Sequence, residues 1–375
     1  MTGAASNLII LADQADREQW LLARREGLGG SDMAAICGES RYRRAIDVWT
    51  DRMEPLPDAS GPVNDDPDRE DRLEMGHILE PVILGLAARG EWRDKAHRGI
   101  WRPPLVQRRD RPWHVGSADG LATTPVGGGW YEPGFNGRHP SGAAGMLTAP
   151  PDGGEWEEIE EVKTHGYHAS LAYDERPGAE EPVPADKVIQ CAWYSSLYGI
   201  PRVSLRALID THLRRRWRWV VDPALETELL TMAEDWWRAH ITGGIRPSPD
   251  GSERYRSHLR KRFPADDGSI VRAAPDLDDV VAKLRAAKAA TKAAEVEEER
   301  LAQLIQASMG SASVLETHLG RITWKVQAGR LKWRDALDET LRKLGWDSAQ
   351  IRAFEETYRG SPPRVFLTPQ TWSKK

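Results

Sequence analysis

The sequence predicts a mixed α/β fold, a central sheet flanked by helices, with a helical C-terminal extension. Three observations carry this. Segments with helical apolar spacing alternate with strand-like runs as far as Pro247. Beyond Pro247 the composition shifts toward Ala, Lys and Glu, and residues 277–308 read as one long helix striped by Val280, Leu284, Ala287, Leu301, Leu304 and Ile305. One strand-like run leads into Asp119, and the triplet Glu161-Val162-Lys163 falls on another.

The elements follow in order. Residues 16–25 have a helical pattern that places Trp20 and Leu21 on the buried side, and Gly27-Leu28-Gly29-Gly30 breaks it. Ser31 or Asp32 then suits the N-cap of a short helix through Cys37, and a further helix covers 45–52. The Pro/Asp-rich stretch 55–68 reads as a loop. Helix returns over 73–89, with Ile78, Leu79, Val82, Ile83 and Leu86 at helical spacing. Residues 100–102 and 113–117 are strand-like. The Gly/Pro-rich segment 123–154 is too long for a hairpin turn and reads as an inserted surface loop. A strand over 157–164, a helix over 185–198, paired strands over 203–209 and 216–221, and a helix over 223–240 complete the core. After the long helix come a small hairpin about Leu319-Gly320, two short helices and a strand at 364–367. This gives two domains, 1–250 and 251–375.

The chain of 375 residues is 40% hydrophobic, enough for a sizeable core in each of two or three domains. It contains no run of about 18 apolar residues, so no membrane span is expected. Its start lacks the basic and long apolar segments of a secretory signal. The two cysteines, Cys37 and Cys191, form no C-x-x-C pair, which excludes a four-cysteine metal site within the chain and fits a reducing cytoplasm. The net charge of -5 argues against an overall basic coat, yet base is clustered at Arg214–Arg218 and acid at Glu155–Glu161, so a locally positive channel is allowed. Gly127-Gly128-Gly129 is a weak phosphate-loop candidate with no Lys-Ser/Thr after it. No H-E-x-x-H, G-x-S-x-G or strand-following G-x-G-x-x-G is present.

Along a strand, residues i and i+2 share a face, so Glu161 and Lys163 point the same way while Val162 can offer its carbonyl. With Asp119 on a neighbouring strand, three charged groups converge as a divalent-metal phosphodiesterase requires. The alternative is an exposed strand with an ordinary Glu/Lys pair. Glu157 shares the face of Glu161 but has no lysine two residues on.

Five motifs extend the pattern: Trp20–Arg24 with Gly29-Gly30-Ser31-Asp32, Met75-Gly76-His77-Ile78-Leu79-Glu80-Pro81, Gly116–Leu121, Glu161–Thr164 and Gln190–Tyr194. In this order, over residues 17–246, the chain resembles the YqaJ-like, lambda-exonuclease-like viral recombinases of the PD-(D/E)-x-K nuclease superfamily. The resemblance implies a restriction-endonuclease-like core and a Mg²⁺- or Mn²⁺-dependent deoxyribonuclease working through two ions. Asp119, Glu161 and the Val162 carbonyl would ligate metal, and Lys163 would orient the attacking water. Glu80 would support the metal site, while Arg24, Ser31, Ser117 and Gln190 would hold DNA phosphates. As plainer roles, Ser31 serves as an N-cap, Glu80 as a solvated helix residue and Gln190 as a buried amide. The implied activity is a 5′-to-3′ double-strand DNA exonuclease of phage or prophage recombination in a bacterial cell. A phage-type or defence endonuclease and a catalytically idle DNA-binding scaffold are the alternatives. Implied partners are double-stranded DNA and a single-strand annealing protein, and a homo-oligomer is open because lambda-type relatives form rings around DNA. The chain departs from the family in the long insertion between Asp119 and Glu161.

Overall fold

A computed structural model describes residues 7–12, 17–55, 67–92, 95–124, 147, 150, 154–165, 183–210, 212–327 and 332–358. Most of the 123–154 insertion, the Gly127–Gly129 run, most of the 55–68 loop and the strand expected at 364–367 lie outside these. The chain divides into two compact units, Met1–Leu259 and Arg260–Lys375.

The first unit is built on a five-stranded sheet of order β2-β5-β6-β7-β8, formed by β2 (Gly99–Trp101), β5 (Gly120–Thr123), β6 (Glu158–His165), β7 (Arg202–Ile209) and β8 (Leu213–Val220). Only β6 and β7 pair in parallel; the other neighbours are antiparallel. A parallel pair needs a long crossover, and helix α5 (Ala185–Tyr198) lies in it. A separate three-stranded sheet joins β1 (Leu8–Ala12), β3 (Leu105–Arg108) and β4 (Val115–Gly116). The sequence reading missed β1 and β3, which are short and edge onto the core.

Helices cover both faces of the large sheet. On one side Ile159 packs with Met33, Ala34 and Ala35 of α2 (Gly30–Ile36), with Ile189, Ala192, Trp193 and Leu197 of α5, and with Leu229 and Ala233 of α6 (Pro223–Trp236). On the other, Val162, Ile100 and Ala122 meet Ile83, Leu84, Ala87 and Ala88 of α4 (Pro67–Ala88). α4 carries Pro81 in its interior, a residue with no N–H for the helix ladder. α1 (Arg17–Arg24) and α3 (Ala45–Met53) complete the N-terminal side, and α7 (Glu253–Arg262) follows α6. The helix expected over 223–240 changes at Trp237 into one wider π turn, Trp237–Thr242.

The expected N-cap at Ser31 or Asp32 is corrected by the structure. The cap is Gly29, and Asp32 sits in the first turn with its carboxylate accepting the Gly29 N–H. The helix therefore begins earlier, because Gly29 supplies the extended cap conformation and a side chain three residues on supplies the acceptor.

The second unit contains the 35-residue helix α8 (Pro275–Met309), the hairpin β9 (Val314–Thr317)–β10 (Gly320–Thr323), and the helices α9 (Trp333–Lys343) and α10 (Ser348–Thr357). Asp347 caps α10 by accepting from Ala349 N at 2.7 Å and Gln350 N at 2.8 Å.

Candidate active site

Asp119 immediately precedes β5, whose Gly120 pairs with Glu160 of β6. This register sets Asp119 against the middle of β6, and its Oδ2 accepts the Val162 N–H at 2.7 Å. Glu161 and Lys163 share the opposite strand face from Glu160 and Val162, and they form an ion pair. Gln190 Nε2 donates to Glu161 Oε1 at 2.7 Å and lies 3.3 Å from the Tyr194 hydroxyl. Tyr198, one further turn along α5, receives the Ala118 N–H at 3.4 Å. Residues four apart share a helix face, so Gln190, Tyr194 and Tyr198 buttress both acid-bearing segments. The two tyrosines were not singled out from sequence, although their i, i+4, i+8 spacing was available.

Glu161 is fully buried. Burial and the neighbouring Asp119 push its carboxyl up to about 8, against the pull of Lys163. Burial works against the charge of Lys163, but Glu161 and Asp119 outweigh it and raise the ammonium above its ordinary range. Glu80 of α4 belongs to the same electrostatic group. Burial and Asp119 raise it to about 7, while Arg102 and Lys163 lower it. Glu80 is ion-paired with Arg102, a partner that sequence reasoning missed.

The remaining predicted residues fall into two places. Arg24 Nη2 donates to Ser31 Oγ, with the guanidinium over the Trp20 ring at 5.2 Å. This pair adjoins Gln190 because a Cβ on Gly30 would lie 2.9 Å from Gln190 Cγ and 3.1 Å from its carbonyl oxygen. Only glycine lets α2 approach α5 that closely. The Ser117 hydroxyl donates to the Pro103 carbonyl at 3.1 Å.

The donor set fits a hard divalent cation. Glu161 Oε2 is buried without a hydrogen-bond partner, a costly state for a carboxylate oxygen unless an ion or proton meets it. Asp119 adds a second carboxylate and Val162 a carbonyl. No group of three or more His, Cys, Asp or Glu with metal-holding geometry occurs among the described residues.

The opposite strand face is ionic at Glu158 and Glu160 and apolar at Val162. Arg206 grips Glu160 through Nε at 2.8 Å and Nη2 at 2.9 Å, both side chains fully buried. Glu158 receives Arg218 at 2.6 Å and lies 3.3 Å from Arg98 and 3.4 Å from Arg216. The acidic run near 158 and part of the basic run at 214–218 therefore neutralise one another inside the sheet. Arg216 and Arg218, which sequence clustering offered to a positive channel, are engaged there.

A mixed sheet between two helical layers, with an Asp and a Glu-x-Lys meeting at its centre, defines an α/β domain. Residues 19–198 match the model of the YqaJ-like viral recombinase domain. The chain is 21% identical over 268 residues to the protein YqaJ of Bacillus subtilis (strain 168), covering 70% of this chain and 68% of that protein. Among solved structures it is similar to the alkaline exonuclease LHK-Exo of Laribacter hongkongensis. The identity is 13% with a TM-score of 0.38, over 66% of this chain and 98% of that one. The same enzyme in complex with dAMP matches at 13% identity and a TM-score of 0.37, with the same coverage. No described helix is long and apolar enough to cross a membrane.

Proposed function

We propose that this chain is a metal-dependent DNA nuclease, a 5′-to-3′ double-strand exonuclease that leaves 3′ single strands for an annealing partner. The observation that carries the reading is the convergence of Asp119, Glu161 and Lys163, with one Glu161 oxygen buried and unpartnered. Asp119, Glu161 and the Val162 carbonyl would hold Mg²⁺ or Mn²⁺, two ions by the family resemblance. A bound ion of this class supplies charge neutralisation at the phosphate and a more acidic water. Lys163, held by Glu161 on the same face, is placed to donate to an attacking water or a phosphate oxygen. Gln190 fixes Glu161 by its side-chain amide. Arg24 offers a guanidinium fork to a terminal phosphate, with Ser31 beside it. Glu80 and Arg102 flank the centre and tune its charge. Polarity and partner rest on the resemblance alone.

Incubation of linear and covalently closed duplex with Mg²⁺ tests this. Linear DNA should be degraded from its ends while closed circles stay intact. Cutting of closed circles would establish the endonuclease reading instead. Binding without any cleavage, under Mg²⁺ or Mn²⁺, would leave the idle scaffold.

A further inference from the structure

We propose that Asp32 is a positioning residue, which braces the turn carrying Arg24's partner Ser31 and thereby confers discrimination for a 5′-phosphate end. The inference rests on the nuclease reading above and assigns a new residue to it.

The Asp32 carboxylate is 1% exposed and fully partnered. Its Oδ1 accepts from Arg43 Nη1 at 2.7 Å, and its Oδ2 from Arg52 Nη2 at 2.7 Å and Gly29 N at 3.0 Å. Arg52 continues the brace: its Nε donates to the Gly27 carbonyl at 3.0 Å and its Nη1 to Val48 O at 3.0 Å. One buried acid and one buried arginine thus tie both ends of the Gly27–Asp32 turn to α3.

That turn touches both arms of the candidate site. Leu28 exchanges backbone hydrogen bonds with Trp113 O at 2.6 Å and Val115 N at 3.1 Å, on the strand leading to Asp119. Gly30 abuts Gln190, which holds Glu161. A Cβ on Gly29 would lie 3.6 Å from Asp32 Oδ2 and 3.8 Å from Arg24 Nε, so the acid and the phosphate-binding arginine flank one glycine. Arg24, Arg43 and Arg52 face Asp32, and Arg43 also pairs with Asp51; three guanidiniums against these two carboxylates favour a dianionic phosphate over a hydroxyl. Removing the carboxylate charge leaves buried Arg52 uncompensated, and the turn must shift to rehydrate it.

The test measures binding, so that it does not depend on turnover. In a Lys163→Ala background with EDTA, fluorescence anisotropy gives Kd for duplexes bearing a 5′-phosphate or a 5′-hydroxyl. The parent should prefer the phosphate, and Asp32→Asn should reduce that preference by about tenfold, the scale of one charge-assisted contact. Arg52→Lys, which keeps the charge but breaks the fork, should act in the same direction and replaces Asp32→Asn if that variant does not fold. A parent with no preference, an unchanged ratio in the variants, or equal weakening toward both ends would overturn the inference. Failure of the nuclease reading shows separately, as absent cleavage by the unmutated chain.

Discussion

Replacing Arg206 by Met tests how the centre of the sheet is held. The substitution roughly keeps side-chain volume but leaves Glu160, fully buried, with Arg216 at 3.8 Å. Breaking one side of a buried pair costs about 3–5 kcal/mol, whereas replacing both partners by apolar residues is often neutral or stabilising. Folded domains have only about 5–15 kcal/mol in hand. With a urea m-value of about 3 kcal/mol/M, the midpoint of Arg206→Met should fall by about 1–1.7 M. The double variant Glu160→Leu/Arg206→Met should recover most of that loss. Urea titrations followed by circular dichroism on the parent, both single variants and the double variant give the coupling energy. A single-variant loss below about 1 kcal/mol would refute the reasoning, because the pair would then behave as an exposed one. So would a double variant as unstable as the singles.

Four further outcomes follow. Lys163→Ala should abolish cleavage while duplex affinity changes little; a fully active variant would remove Lys163 from the site. Gly30→Ala places a methyl 2.9 Å from Gln190 Cγ and should cost about 1–3 kcal/mol as an overpacked contact, with cleavage falling in parallel. An unchanged melting curve would contradict this. His114 is buried and held down to about 3, mainly by burial. The unfolded chain therefore binds the proton that the folded chain refuses between about pH 6.5 and 3. Stability from this group is complete above pH 6.5 and is lost on acidification, by roughly 2 kcal/mol between pH 6.5 and 5. His114→Leu should flatten that slope, and an equally steep slope would sink the assignment. Glu161, raised to about 8 by burial and Asp119, should release a proton when Mg²⁺ binds at pH 7. Calorimetry in buffers of different ionisation enthalpy reads the count, and zero release would show that Lys163 already holds Glu161 ionised.

Much of the centre was legible because its signals are local. Glu161-x-Lys163 share a face through the two-residue period of a strand, and Gln190 lies in an unbroken helical pattern that the structure keeps from Ala185 to Tyr198. Nothing local pairs Glu80 with Arg102 or Glu160 with Arg206, because these partners meet only when four separated segments assemble. The cap at Gly29 was misplaced for a related reason. Ser and Asp are the commoner caps, and the side chain of Asp32 does serve the helix start, but from inside the first turn. The strands β1 and β3 escaped notice because a three-stranded edge sheet leaves little alternation to detect.

The ionic face of β6 separates two responses to salt. Buried ion pairs feel little screening, whereas contacts to a DNA backbone weaken steeply as counterions are added. Raising ionic strength should thus release nucleic acid from this chain long before it loosens the Glu158–Glu160 lattice. The folded protein can then be stripped of DNA by a salt wash and recovered intact.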